Sequence, residues 1–189
     1  MDSVAPNGAR ARTRRAILDA ALSALSKNAA ASMADIAAAA GVGRTTIHRY
    51  FPERSDLLSA IGTHLLERIE VATVRARLDE GPADEALERV CQEYFELEDV
   101  LLFAFENPQM TDWTGWDDET ESDRALLRLI ERGREEGTID AGQPAAWLTE
   151  VMWSLLYSAW QHTRGQHASK HAALELSLRT LRKVIKIER

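Results

Sequence analysis

Apolar side chains recur along this chain at spacings of three and four, the period of one face of an α-helix. Ile17, Ala20, Ala21, Ala24 and Leu25 predict a first helix over about Arg12 to Lys27. Ser32-Met33-Ala34-Asp35 has the form of a capping box and opens a short, alanine-rich second helix. Asp35 is shorter than the usual Glu at that place. Gly41-Val42-Gly43 supplies a turn, and a third short helix follows from about Arg44 to Tyr50. Pro52 ends it, because the residue before proline disfavours helical backbone. Ser55 reads as the N-cap of a longer helix that begins at Asp56 and reaches residue 78.

Asp79-Glu80-Gly81-Pro82 is a break, and helical periodicity resumes at Ala83. It continues to about Phe105, with a kink or break expected near Glu98-Asp99, and Asn107-Pro108 marks a stop. Thr111 to Ser122 is polar and acidic and reads as a loop. Asp123 to Glu136 is amphipathic through Leu126, Leu127, Leu129 and Ile130, and Gly137 closes it. Gln143-Pro144 starts a helix that runs to about His162. A last helix spans about Ser169 to Ile187, with Leu174, Leu178, Leu181 and Ile185 on one face. No stretch alternates with period two. The expected fold is all-α with about nine helices: a disordered tail over 1–9, a compact domain over 10–55, a connecting helix over 55–78 and a helical domain over 79–189.

The chain has 189 residues, 45% of them hydrophobic, which suffices for one or two packed domains. A single cysteine, Cys91, excludes a disulfide framework and any multi-thiolate zinc site. The first ten residues are polar and small, unlike a secretory signal. Ala145 to Trp160 is nearly apolar but is interrupted by Glu150 and is too short to span a bilayer. A soluble, cytoplasmic protein is the expectation. The net charge of −7 argues against a nucleic-acid partner until it is divided along the chain. Residues 1–55 carry +4, residues 56–78 are neutral, residues 79–123 carry −15 and residues 124–189 carry +4. Such asymmetry suggests separate tasks for separate regions. An acidic middle also repels DNA from faces not meant to dock.

The basic end holds the pattern richest in chemistry. Small residues at Ala37 and Gly41, with apolar Ile36, Val42 and Ile47, place two short helices across a tight turn. This is the arrangement of a helix-turn-helix, whose second helix enters the DNA major groove. That helix would present Arg44, Thr45, His48 and Arg49, hydrogen-bonding side chains without a carboxylate among them. Arginine pairs bidentately with guanine, and a threonine methyl can touch the methyl of thymine.

From Thr13 to Ile61, and above all over "SMADIAAAAGVGRTTIHRYFPERSDLLSAI" from Ser32, the chain resembles the DNA-binding domain of the TetR family of transcriptional regulators. The Gly41-Val42 turn, the Tyr50-Phe51 pair and Arg54-Ser55-Asp56-Leu57-Leu58 carry the resemblance most specifically. "EEGTIDAGQPAAWL" resembles the join between two helices of the family's regulatory domain. The resemblance implies a ligand-responsive, sequence-specific DNA-binding regulator, a repressor released from a palindromic operator. It implies Arg44, Thr45 and His48 as base readers, with Thr46 and Arg49 at the groove edge or backbone. Tyr50, Arg54 and Ser32 would hold phosphates, and Arg10, Arg12, Arg14 and Arg15 would lie near the backbone or minor groove. His48 stands where tyrosine is more usual in the family, and Arg54 where many members carry lysine.

A homodimer is implied too, since one such module reads few bases. Trp147, Val151, Leu155, Leu178, Leu181 and Ile185 suit an interface with a two-fold mate or, equally, the core of the chain itself. All five tryptophans follow residue 112, and Phe95, Phe103, Trp113, Trp116, Trp153 and Tyr157 are candidates to line an effector pocket. Acidic Glu93, Glu96, Glu98, Asp99 and Glu106 are interleaved there, so an aromatic or cationic effector fits. His162, His167 and His171 lack an accompanying carboxylate or thiolate at metal-ligand spacing, so no metal and no cofactor is expected. Cys91 reads as a core residue. An all-α enzyme and a protein-interaction module with a vestigial helix-turn-helix are the alternatives. No HExxH, GxSxG or phosphate-binding glycine loop supports an enzyme.

Overall fold

The computed structural model describes residues 7–111, 113–165 and 168–186. Among these residues the fold is all-helical, with ten α-helices and no strand. They are α1 (Asn7–Lys27), α2 (Met33–Ala39), α3 (Arg44–Tyr50), α4 (Arg54–Arg75), α5 (Ala83–Phe95), α6 (Glu98–Glu106), α7 (Pro108–Thr111), α8 (Glu121–Glu136), α9 (Ala145–Arg164) and α10 (Lys170–Val184). A 3₁₀ turn spans Thr114–Trp116.

The chain divides into two compact units. The first comprises residues up to Leu66 together with Asp99–Trp116; the second comprises Glu67–Glu98 and Asp117 onward. The boundary expected from sequence, with everything after residue 79 in one domain, therefore differs from the packing. The reason is the placement of three apolar side chains. Val100, Phe103 and Met110 are buried in the same cluster as Ile17, Ile36, Ile47, Phe51 and Leu57. Trp113 packs on the edge of that cluster. Its indole lies so close to Gly62 in α4 that a Cβ there would sit 2.6 Å from the ring. Only a residue without a side chain permits that approach.

In the second unit α9 packs against α10 and α5 against α8. Leu178, Leu181 and Ile185 are buried there, with Leu148, Met152 and Leu156. The Trp160 indole donates to the carbonyl of Phe95 at 3.0 Å, which satisfies the one polar atom of a fully buried ring. Cys91 is buried in α5, as a core residue should be. Burial, with Glu88 adding to it, pushes its thiol up, so it stays protonated.

The differences from the sequence expectation are local and have local causes. Helix α1 begins at Asn7, five residues ahead of Arg12, and only residues 1–6 of the expected tail lie outside the described residues. Ser55 is inside α4 rather than its cap, because Asp56 accepts from the Glu53 amide at 2.9 Å and the helix starts at Arg54. The long stretch after Ala83 breaks at Glu96-Leu97 and yields α5 and α6. Pro108 opens a short helix instead of ending one. Thr120 and Asp123 form a reciprocal capping box that starts α8 ahead of Asp123.

Gly62→Ala puts its methyl group into the indole of Trp113 and should cost about 1–3 kcal/mol. Thermal unfolding should show a lowered midpoint, with a shifted tryptophan emission. An unchanged midpoint contradicts this packing.

Candidate nucleic-acid interface

The site grows from the turn between α2 and α3. Ser32 caps α2: its hydroxyl accepts from the Asp35 amide at 3.2 Å, and its own amide donates to the Asp35 carboxylate at 2.8 Å. The short aspartate thus completes the box that the sequence suggested. The Ser32 hydroxyl also donates to Asp35, at 2.7 Å. The side-chain and backbone donors of Ser32 hold the Asp35 carboxyl below its ordinary value, and the Arg44 charge adds to this. A lowered carboxyl stabilises the cap fully at neutral pH, and the effect fades as the pH falls through the lowered value.

After α2, Gly41 takes φ +65°, a conformation that L side chains rarely adopt, and Val42 donates back to the Ala37 carbonyl at 2.9 Å. Helix α3 then starts at Arg44. Ile47 is its one fully buried residue, set among Ile36, Phe51 and Leu57. With Ile47 turned inward, Arg44, Thr45, His48 and Arg49 are exposed, and Thr46 and Tyr50 are half-buried. His48 lies four residues after Arg44 and three after Thr45, so it is the surface neighbour of both. The His48 imidazole Nδ1 lies 3.2 Å from the carbonyl oxygen of Pro52.

Three arginines meet two aromatic rings beside this face. The guanidinium carbons of Arg10 and Arg49 lie 5.7 Å from the centre of the Tyr50 ring. That of Arg14 lies 5.5 Å from the centre of Phe51. Cation–π attraction of this kind holds the arginines of α1 beside α3. Sequence reasoning placed Arg10 and Arg14 near DNA but missed the rings that orient them. The adjacent Tyr50-Phe51 pair was the available signal.

Arg54 has a structural role that the sequence did not suggest. Its guanidinium donates to the Ala31 carbonyl at 2.6 Å, the Ala29 carbonyl at 2.9 Å and the Gln109 amide oxygen at 3.1 Å. Both terminal nitrogens are engaged within the chain, so Arg54 also braces α4 against the segment before α2 and against α7. The amide and hydroxyl protons of Ser32 both go to Asp35 in the same way.

Residues 17–61 match the family model described as bacterial regulatory proteins, tetR family. The chain is 39% identical over 160 residues to the HTH-type transcriptional repressor LfrR of Mycolicibacterium smegmatis, covering 82% of this chain and 81% of that one. The chain belongs to the TetR family. It is a DNA-binding regulator of transcription. Among solved structures, the crystal structure of the same regulator, LfrR from Mycobacterium smegmatis, in complex with proflavine is similar to this chain. It has a TM-score of 0.74 and 34% identity, covering 94% of this chain and 99% of that one. The HTH-type transcriptional regulator NfxB of Pseudomonas aeruginosa is 28% identical over 150 residues, 76% of this chain and 79% of that one.

Within this TetR-family chain the six aromatic candidates for an effector pocket are divided between the two units. Phe103, Trp113 and Trp116 belong to the first unit, where Phe103 is core and the two indoles meet edge to face at 5.2 Å. Phe95, Trp153 and Tyr157 belong to the second. Phe95 is buried beside Trp160, Trp153 stacks on Tyr94 at 4.8 Å, and the Tyr157 oxygen accepts from Gln161. Among the acidic candidates, Glu98 is paired with Lys170 at 2.6 Å. A cavity of about 430 Å³ in the second unit is walled instead by α4 and α8, through Thr73, Val74, Ala125 and Leu129, with Arg77 and Arg128 at its edge. None of the six aromatics lines it.

The dimer candidates divide as well. Leu178, Leu181 and Ile185 are core of their own chain, a correction that follows from the close packing of α10 against α9. Trp147 is 53% exposed, and Val151 and Leu155 are half-buried on the same face of α9. Leu176 on α10, absent from the sequence reading, is 39% exposed. His167 lies outside the described residues. Among the described residues no three His, Cys, Asp or Glu come together as a metal site, and no helix is long and apolar enough to cross a membrane.

Two substitutions separate the roles. Arg54→Ala should remove three hydrogen bonds and destabilise the fold by about 1–3 kcal/mol. Arg44→Ala, fully on the surface, should leave the unfolding midpoint unchanged while DNA affinity falls at particular bases. Equal midpoints for the two variants would contradict the brace.

Proposed function

We propose that the chain is a repressor that binds a near-palindromic operator as a homodimer and leaves it when a small aromatic cation binds. The observation that carries this reading is the exposed face of α3. Arg44, Thr45 and His48 stand on a short helix pinned by Ile47, flanked by the ring-held Arg10, Arg14 and Arg49. These groups match what a major groove offers: acceptors for arginine on guanine, and phosphates on either side. Tyr50 and the exposed arginines of α1 take the backbone role. The chain works by binding, at DNA in the cytoplasm, and catalyses no reaction.

Two heads must engage together, with half-sites about 34–36 Å apart or a multiple of that. We assign the mate-facing surface to Trp147, Val151, Leu155 and Leu176, the apolar side chains that α9 and α10 leave uncovered. The LfrR relative crystallised with proflavine, a flat aromatic cation, supports that class of effector. Trp153, stacked on Tyr94, together with the half-buried Tyr157 of the same unit, supplies aromatic surface for it. The effector acts by preferring one conformation of the dimer, and a coupling of about 1–3 kcal/mol changes operator affinity by roughly 5- to 150-fold.

Selection of bound duplexes from random DNA should recover a near-palindrome, and proflavine should release it. Recovery of unrelated sequences, or release by an acyl-CoA and not by proflavine, contradicts the respective part. Light scattering should give twice the 21.1 kDa chain mass, and Trp147→Glu should return the monomer. A wild-type monomer bound to its operator would overturn the dimer.

A further inference from the structure

His48 differs from its neighbours on α3 in what it can read. Arg44 and Arg49 only donate hydrogen bonds, and α3 contains no carboxylate. The two threonine hydroxyls serve either way. The imidazole is fixed by one contact, its Nδ1 at 3.2 Å from the Pro52 carbonyl oxygen. A carbonyl oxygen carries lone pairs and no proton, so the shared hydrogen belongs to Nδ1. A neutral imidazole has a single N–H. Its Nε2 is then a bare acceptor, at the far tip of an exposed ring.

The anchor is itself held from both sides. Phe51, immediately before Pro52, is buried in the head's core. Immediately after it, the Glu53 amide donates to the Asp56 carboxylate at 2.9 Å. The carbonyl that fixes the ring is thus a fixed point of the α3–α4 connection, and the tautomer is set by the fold.

In the major groove the donors offered by bases are exocyclic amines, N4 of cytosine and N6 of adenine; guanine and thymine present only acceptors on the corresponding edges. We propose that His48 is a specificity-determining residue that accepts a hydrogen bond from such an amine and so selects cytosine or adenine at one position of each half-site. Arginine cannot make that choice, because it donates to guanine. The α3 face therefore reads two complementary classes of base, acceptors through Arg44 and amines through His48. This rests on the reading of α3 as the recognition helix.

The test is selection from random DNA by the full-length protein at pH 8. His48→Ala and His48→Arg are selected in parallel. The wild type should be restricted to cytosine or adenine at one symmetric position per half-site. His48→Ala should lose the restriction there alone. His48→Arg should change it to guanine, since a donor then replaces the acceptor. Removing the amine from that base, as 2-pyrimidinone for cytosine or unsubstituted purine for adenine, should weaken the wild type by about fivefold more than His48→Ala. A wild-type choice of guanine or thymine at the position that His48→Ala relaxes overturns the inference, as does an unchanged consensus in both variants. Failure of the reading beneath it looks different: neither the wild type nor any variant recovers a consensus, or Arg44→Ala also leaves the consensus unaltered.

Discussion

A seven-residue helix cannot sustain itself in water, and α3 is that short. Everything the DNA-facing surface does depends on what holds α3 from behind. It has one fully buried side chain, Ile47, and two fixed ends. At the front, Gly41 turns the chain through a left-handed conformation so that Val42 can donate back to α2. At the rear, Phe51 goes into the core as the helix ends. The polar residues are free to meet a partner because none of them is needed to keep the helix folded. Arg54 extends the same constraint outward, since its guanidinium joins the start of α4 to the segment before α2 and to Gln109. A cation expected at the interface has become part of the frame.

Charge follows a similar logic. The block from residue 79 to 123 carries −15 in sequence, and part of it is matched in the fold. Glu88 takes both arms of Arg182, Glu98 takes Lys170, and Glu121 takes Arg124 and Arg128. The basic residues that follow residue 123 are thus partly spent on the acidic block before them. The arginines of the N-terminal end are not spent in this way: Arg10, Arg14 and Arg49 rest against aromatic rings, which orient a cation without neutralising it. An acidic protein can therefore keep one basic face.

The helix-turn-helix was legible in the sequence because its signals are local. Ser32 and Asp35 sit three apart, Gly41 is where a turn needs it, and Pro52 ends a helix. The fold class was legible for the same reason, with helical periodicity throughout. What could not be read was long-range: that Val100, Phe103 and Met110 join the core of the N-terminal unit, that Arg54 turns inward, and that Leu178, Leu181 and Ile185 cover their own chain. An apolar stripe has the same periodicity whether it meets its own core, a ligand or a mate. The six aromatics show the limit clearly, since Phe103 and Phe95 are alike in sequence and belong to different units. The capping box at Thr120 was present in the sequence and was hidden by the acidic, tryptophan-punctuated stretch around it.

The central claim is that the face of α3 is where DNA lies. Hydrogen-exchange mass spectrometry on the full-length protein, with and without a selected operator duplex, tests it most directly. The account predicts slowed exchange over residues 41–54 and along the arginines of α1, with residues 79–123 unaffected by direct contact. Slowed exchange confined to residues 79–123, with residues 41–54 unchanged by a duplex that binds tightly, would contradict it.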